Sequence, residues 1–230
     1  MITALVRMRL AGFVQTGRAA APLLASLVVL SILYGGGQAQ AGEAYGVSAA
    51  VLFGVLAWQT KILLDVEPDV QRRLGRVAVG GAGKEIAAGL IAALLAGLPV
   101  VLIALVLPWV VRGVTTPGPG DPPLSEGIAL GVWAHLLLLL PAVALGGLAS
   151  RAVTAQAARG LTVLVGGLVF AIVLGLKSSP APWLAPPVMA AARDAAGAAR
   201  LPALALATVW GLAWTAVAVA GYGALRRGRA

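Results

Sequence analysis

The sequence predicts an all-α polytopic membrane protein, and two observations carry this prediction. Of its 230 residues, 60% are hydrophobic and only 11% are charged, and the mean hydropathy is +0.96. Soluble domains carry about 25% charged residues, so a soluble fold could not bury this much apolar surface. The apolar residues also form long runs with basic residues at their ends, which is the pattern of helices oriented in a bilayer.

The first segment, residues 1–18, predicts an amphipathic helix that lies in the membrane interface. Its apolar residues largely share one side of a helix, with arginines at the borders of that side. Arg7, Arg9 and Arg18 interrupt the apolar pattern, so a cleavable signal peptide is not expected. A simple N-terminal extension of the first span is the alternative.

Six apolar segments follow, each of about the 17–25 residues that a helix needs to cross the hydrocarbon of a bilayer. They cover residues 19–36, 44–64, 86–111, 127–149, 160–176 and 202–224. With the N-terminus inside, thirteen of the 17 basic residues lie on the inner side, and only Arg112, Lys177, Arg193 and Arg200 lie outside. This distribution predicts six spans in the cell (plasma) membrane with both termini cytosolic.

Two outer connections differ in character. Residues 112–126 are rich in proline and glycine and predict an irregular loop. Residues 177–201 begin with four prolines that break any helix, whereas Val188 to Arg200 is alanine-rich and helix-prone. This segment is too short for two spans, so we expect either a re-entrant segment or short outer helix, or else a plain surface loop.

The stretch between the second and third spans, residues 65–85, holds four of the eight acids. Acidic residues and Pro68 at its start, and glycines at 80–83, predict a short helix between them, with Arg72, Arg73 and Arg76 exposed. Because apolar runs flank it on both sides, we expect it to be the main surface that the protein shows to water on the inner side. A solvated connector whose charges only set the topology is the alternative.

Sequence motifs argue against an enzyme. The segment Gly80 to Glu85, GGAGKE, lacks the first glycine and the final hydroxyl residue of a phosphate-binding loop, so any ATP hydrolysis is expected on a partner subunit. Nucleophile elbows, HExxH motifs and paired acids inside a span are absent from the sequence. The net charge of +9 is explained by orientation in the bilayer, and nucleic acid is not an expected partner.

The sequence also offers little for a metal or a cofactor, and neither is expected. Cysteine is absent, and the single histidine, His135, lies in an apolar span without neighbouring ligands. For this histidine we favour a packed position between helices over a proton relay. Gly42/Gly46 and Gly127/Gly131 match the spacing of close helix contacts, but glycine is so frequent that we expect little information from these pairs.

The layout resembles the permease subunits of ABC-2 type exporters, especially the small Ala/Gly-rich permeases of actinobacteria. The shared features are an N-terminal interface helix, six spans, a broken last outer loop, and Val66-Glu67-Pro68-Asp69 followed by a basic helix directly after the second span. The resemblance implies that the 65–85 loop fits a cleft on a separate ABC ATPase subunit. The contact residues that it implies are Glu67, Asp69, Arg72, Arg73 and Arg76.

The expected function is therefore the transmembrane permease subunit of an ATP-driven exporter. Its expected partners are the ABC ATPase, a second permease copy in a dimer, and membrane lipid; the resemblance also implies outer re-entrant helices at about 180–200. One alternative is the substrate-binding six-span subunit of a vitamin importer, which would need a polar pocket on the outer side that the sequence does not indicate. The other alternative is a non-transporting membrane scaffold or immunity protein.

Overall fold

The computed structural model describes residues 1–197 and 199–227, and the regular structure of these residues consists of helices. An isolated β-bridge joins Ala39 to Val114 between two loops. The ten α-helices of the described residues are α1 (Ile2–Gln15), α2 (Ala20–Gly35), α3 (Ala41–Leu64), α4 (Asp69–Val79), α5 (Ala82–Val110), α6 (Leu124–Leu148), α7 (Arg151–Thr154), α8 (Ala157–Leu174), α9 (Val188–Ala196) and α10 (Leu201–Arg227).

Five helical segments are long and apolar enough to cross a membrane: α3, α5, α6 continued through α7, α8, and α10. The number rises to six if α1 and α2, which are bent by 70° relative to each other, form one span. By itself α2 has 16 residues, or about 24 Å of helix, against a hydrocarbon thickness of about 30 Å. The all-α prediction is confirmed for the described residues, and α2, which lies within the expected span 19–36, is shorter than each of the five long apolar segments.

The centre of the bundle is α3, which packs against α2, α5, α6 and α9. Glycines permit the closest of these approaches. A Cβ atom on Gly46 of α3 would lie 2.5 Å from the carbonyl oxygen of Ala192 in α9, and one on Gly131 of α6 would lie 2.5 Å from the ring of Tyr45. The expectation that the two glycine pairs carry little information was therefore wrong, because these pairs set the contacts of α3 with α9 and α6.

The segment after α8 contributes to the core. A short 3₁₀ helix, Pro182–Leu184, precedes α9, whose Ala191 and Ala195 are buried against α3 and α6. The helix-prone stretch from Val188 is helical as expected, but α9 ends at Ala196. Ala198 lies outside the described residues, as does Arg229, which the sequence assigned to the inner side.

Apolar side chains face outward along the other helices. Exposed examples are Ile32 on α2, Phe170 on α8 and Val217 on α10. Such surfaces are expected where lipid replaces water as the solvent. The interior of the bundle is filled by α3 and α6, and the charged side chains gather at its ends.

Candidate functional site

The charged end of the bundle carries the candidate site, and we call it the α4 end. The helices α1, α4 and α7 meet there with the first turn of α5 and the last turn of α10. This end carries the stretch 65–85 that the sequence marks as the most polar segment.

Local sequence determines where α4 begins and ends. Pro68 precedes the first helical residue in an extended conformation, and Asp69 places a carboxylate in the first turn, where it complements the helix dipole. At the other end Gly80 has φ +77°, the left-handed conformation that glycine adopts without strain. The amide groups of Gly80 and Gly81 then donate hydrogen bonds back to the carbonyl oxygens of Val77 and Arg76. The short helix predicted inside 65–85 is present.

Three sides of α4 have different environments. Val79 is buried in a cluster that includes Leu5 of α1, so this side fastens the helix to the bundle. Val70, Leu74 and Val77 are 69%, 66% and 79% exposed, and they form an apolar stripe that packs on nothing within the described residues. The third side carries Arg72, Arg73 and Arg76, which face a cleft toward α7. An exposed apolar stripe on a helix outside the spans is typical of an interaction surface.

Four charged side chains are buried together behind α4, and we call them the Arg9 network: Arg9, Glu67, Glu85 and Arg226. Their exposed fractions are 4%, 6%, 0% and 6%. Arg9 Nε donates a hydrogen bond to Glu67 Oε2 at 2.9 Å, and Arg9 Nη2 donates to the Glu85 carboxylate. Arg226 Nη2 donates to the second oxygen of Glu85, Oε2, at 2.8 Å. Two cations and two anions balance, which is what allows all four to leave water.

The Arg9 network corrects one expectation from the sequence. The acids of 65–85 were expected to face water, whereas Glu67 and Glu85 are inside the protein. The physical reason is that Arg9 and Arg226 compensate their charge from distant parts of the chain. Among the residues expected to contact a partner, Asp69 and Arg73 are exposed on α4, Arg76 is half-buried, and Glu67 is buried away from them. The Arg72 side chain was expected to be exposed, but it is only 12% exposed and pairs with Asp69.

Asp65 joins the end of α3 to α7. Its Oδ2 atom lies 2.7 Å from Lys61 Nζ, and its Oδ1 accepts a hydrogen bond of 2.7 Å from the backbone amide of Arg151. The Arg151 guanidinium donates to the Asp65 carbonyl oxygen at 2.6 Å. These bonds place the short loop around residue 151 beside α4, a neighbour that the sequence did not indicate.

The cleft between α4 and α7, which we call the arginine cleft, has a volume of about 720 Å³. Its walls carry Asp69, Arg72, Arg73, Arg76, Val77, Arg151, Ala152, Ala155 and Arg226. Asp69 pairs with Arg72, and Arg226 is bound to Glu85. Arg73 and Arg76 have no acidic partner among residues 1–197 and 199–227. The cleft is therefore strongly positive.

His135 lies far from this end, in the interior of α6. Its ring nitrogens are 2.8 Å from the Gly131 carbonyl oxygen and 3.2 Å from Ser48 Oγ. Because a carbonyl oxygen only accepts, Nδ1 carries the proton. The Ser48 hydroxyl lies within hydrogen-bond distance of both His135 Nε2 and the Tyr45 carbonyl oxygen, at 3.2 and 3.1 Å. The ring also stands edge-on to Tyr45, with 6.1 Å between centroids. This is the packed interhelical position that the sequence favoured.

The opposite end of the bundle has an open cleft of about 510 Å³ beside the loop after α5. Polar lining comes from Gln38, Arg112, Thr115 and Thr116, and the apolar floor includes Trp109. This polar pocket is not indicated by the sequence, because three helices, α3, α4 and α5, separate the loops of Gln38 and Arg112 along the chain. The Gln38 side-chain amide donates to the Arg112 carbonyl oxygen at 2.8 Å, which brings the two loops together.

Metal binding finds no support in the side chains of the described residues, where no three histidine or acidic groups converge. In comparisons with known proteins, the chain matches no family model, no curated protein and no solved structure.

Proposed function

We propose that this chain is the transmembrane permease subunit of an ATP-driven exporter of the ABC-2 type, and that α4 is its contact with a separate ATPase subunit. The observation that carries the proposal is the apolar stripe Val70, Leu74 and Val77 on a helix that also presents charged groups. A groove on a partner protein would remove this stripe from water, as grooves do for other amphipathic helices. Asp69, Arg72, Arg73 and Arg76 remain the proposed charged contacts.

The attachment of α4 supports a role in transmitting motion. Arg9 holds Glu67 just before α4 and Glu85 just after it, so one side chain fastens both ends of the segment. A push on α4 would reach α1 and α5 directly, and α10 through Arg226. Rigid displacement of packed helices is a common way to move between two states of a membrane protein.

In this proposal the α4 end faces the cytosol of a cell whose plasma membrane the chain spans six times. The bias of lysine and arginine toward that end supports this orientation. Energy comes from the partner, because the sequence has no complete phosphate-binding loop. The proposed working unit contains two permease copies and two ATPases.

The test is co-expression with an ABC ATPase encoded beside this chain, followed by purification of the permease and measurement of the ATPase recovered with it. We expect Val70→Ser/Leu74→Ser and Arg72→Glu/Arg73→Glu each to release the ATPase and abolish transport in vesicles. Truncating one member of a desolvated charge pair costs about 2–5 kcal/mol, whereas a rim charge changes binding little.

The matched control is Arg7→Glu/Arg159→Glu, which reverses two exposed charges at the same end that belong to α1 and α8 and do not line the arginine cleft. This variant should recover as much ATPase as the unmodified chain. Normal ATPase recovery and transport in both α4 variants would reject the docking role and favour a scaffold or immunity protein.

The cleft at the opposite end favours a second candidate, the substrate-binding subunit of a vitamin importer. Its polar groups and its volume of about 510 Å³ suit a small polar ligand. Tight binding of a water-soluble vitamin by the purified chain, lost in Arg112→Ala, would support this candidate over the exporter.

A further inference from the structure

We propose that the arginine cleft binds the phosphate group of an anionic ligand, either the headgroup of an anionic phospholipid or a soluble phosphate ester. This binding site goes beyond the proposed transport function and does not depend on an ATPase. The geometry favours the phospholipid as the source of the phosphate.

The charge of the cleft is the first step. Arg73, Arg76 and Arg151 contribute three guanidinium groups to one volume, and Asp69 is engaged by Arg72. The Arg151 guanidinium donates to the Asp65 carbonyl oxygen at 2.6 Å and lies 3.9 Å from the Asp65 carboxylate, and its side chain remains 46% exposed. Three like charges that line one cleft are unfavourable in isolation and are relieved by a multivalent anion.

The type of cation is the second step. A guanidinium presents parallel N–H groups that match the oxygens of a phosphate, and it does so better than a lysine ammonium. All the basic residues that line the cleft are arginines. Arg73 and Arg76 lie on α4, and Arg151 lies on α7. A volume of about 720 Å³ lies in the range of ligand pockets and accommodates a phosphate with its ester substituents.

The position of the cleft is the third step. It opens at the last turn of α10, where Arg226 lines it and the adjacent Leu225 is 50% exposed. Leu225 therefore gives the cleft an exposed apolar edge. Acyl chains can lie on that edge while the headgroup occupies the cleft. Basic pockets between helices at the membrane boundary bind anionic headgroups in this manner.

The apolar stripe of α4 remains available when the cleft is filled. Val70 and Leu74 are exposed but do not line the cleft. A phosphate bound in the cleft would therefore contact the arginines of α4 and leave Val70 and Leu74 exposed. Val70→Ser/Leu74→Ser changes the proposed partner site without changing the cleft, whereas Arg73 and Arg76 belong both to the cleft and to the proposed charged contacts.

The test uses the purified full chain in detergent and in vesicles. The lipid probe compares phosphatidylcholine vesicles with vesicles that also contain phosphatidylglycerol, and the soluble probes are glycerol 3-phosphate and inorganic phosphate. Native mass spectrometry counts the lipids retained, and thermal unfolding measures the stabilisation. We expect phosphatidylglycerol to be retained and to raise Tm.

The cleft variant is Arg73→Gln/Arg76→Gln/Arg151→Gln, and the control variant is Arg7→Gln/Arg159→Gln/Arg227→Gln. The control removes the same number of charges from exposed residues at the same end that do not line the cleft. We expect the cleft variant to lose affinity for phosphatidylglycerol by about tenfold or more, as for the loss of a charge-assisted hydrogen bond. The control should keep its affinity.

A third variant, Arg73→Lys/Arg76→Lys/Arg151→Lys, keeps the charge and guards against a folding defect in the glutamine variant. We expect it to bind phosphatidylglycerol with an affinity between those of the unmodified chain and the cleft variant. If glycerol 3-phosphate binds at the cleft and phosphatidylglycerol does not, the ligand of the cleft is a soluble phosphate ester and not a lipid headgroup.

Two results would overturn the proposal. One is an equal loss of binding in the cleft and control variants, which would mean a general attraction of charge. The other is failure of every phosphate probe to bind while a polyglutamate peptide binds at the cleft, which would assign the cleft to a carboxylate-bearing protein partner.

Discussion

A single arginine near the start of the chain organises the α4 end. Arg9 donates to Glu67, to the carboxylate of Glu85 and, through Nη1, to the Glu85 carbonyl oxygen at 2.9 Å. Its guanidinium therefore uses all three nitrogens on the two flanks of α4. Removing one member of a buried ion network leaves the others uncompensated, which costs about 3–5 kcal/mol.

The prediction at this scale is a double-mutant cycle on Arg9→Met and Glu85→Gln. Each single variant should lower Tm strongly, because it leaves a buried charge without its partner. The double variant should lose less than the sum of the two, by about 0.5–3 kcal/mol, because the two residues interact. Thermal unfolding in detergent is the measurement.

The control for this cycle is Asp69→Asn. The Asp69 side chain is 81% exposed, and surface ion pairs contribute little to stability, so Tm should stay nearly unchanged. Additive losses in the Arg9 and Glu85 cycle would mean that the two side chains do not stabilise each other.

The sequence could not have predicted the Arg9 network. Glu85 follows a glycine-rich turn and precedes an apolar run, so its local pattern is that of a solvated helix start. Its partners lie 76 and 141 residues away along the chain. No local periodicity reports on such a pair, whereas Pro68 and Gly80 act on their immediate neighbours and made α4 predictable.

At the scale of helices, close approach depends on a few glycines. Gly46 lets α3 touch the backbone of α9, whereas Gly166 on α8 has no heavy atom within 4 Å of where a Cβ would lie. Replacing glycine by alanine should therefore change the thermal stability differently at the two positions. Glycine frequency concealed this difference in the sequence, since only the tertiary neighbours distinguish the two residues.

We expect Gly46→Ala to lower Tm, because the new methyl group would meet the Ala192 carbonyl oxygen. We expect Gly166→Ala to leave Tm unchanged or to raise it, since alanine is favoured over glycine inside a helix by about 1 kcal/mol. Thermal unfolding of both variants under one condition is the measurement. A higher Tm for Gly46→Ala than for Gly166→Ala would contradict the α3–α9 contact.

For the whole molecule, the helical class and the positions of the spanning helices followed from composition and from apolar runs. The structure moved most boundaries by a few residues, and α5 begins four residues earlier than the expected 86, so that Glu85 lies within it. The sequence did not predict how short α2 is or how it bends against α1, because hydropathy alone does not show a turn at Gly17.

Topology is the prediction at this scale. With six spans and the α4 end inside, a reporter inserted near Gly118 should be active outside the cell only. A reporter fused after residue 230, which lies outside the described residues, should be active in the cytosol only. The exposed loop around Gly118 tolerates an insertion because it makes few contacts. A cytosolic signal at Gly118 would contradict the six-span arrangement.

The Arg9 network also has an order of assembly. The ribosome makes Arg9 first, then Glu67 and Glu85, and it makes Arg226 only after 141 further residues. Until α10 has been inserted, one oxygen of the Glu85 carboxylate has no cation, so the half-made protein carries an incomplete ion cluster. Loss of α10 would leave that defect in place.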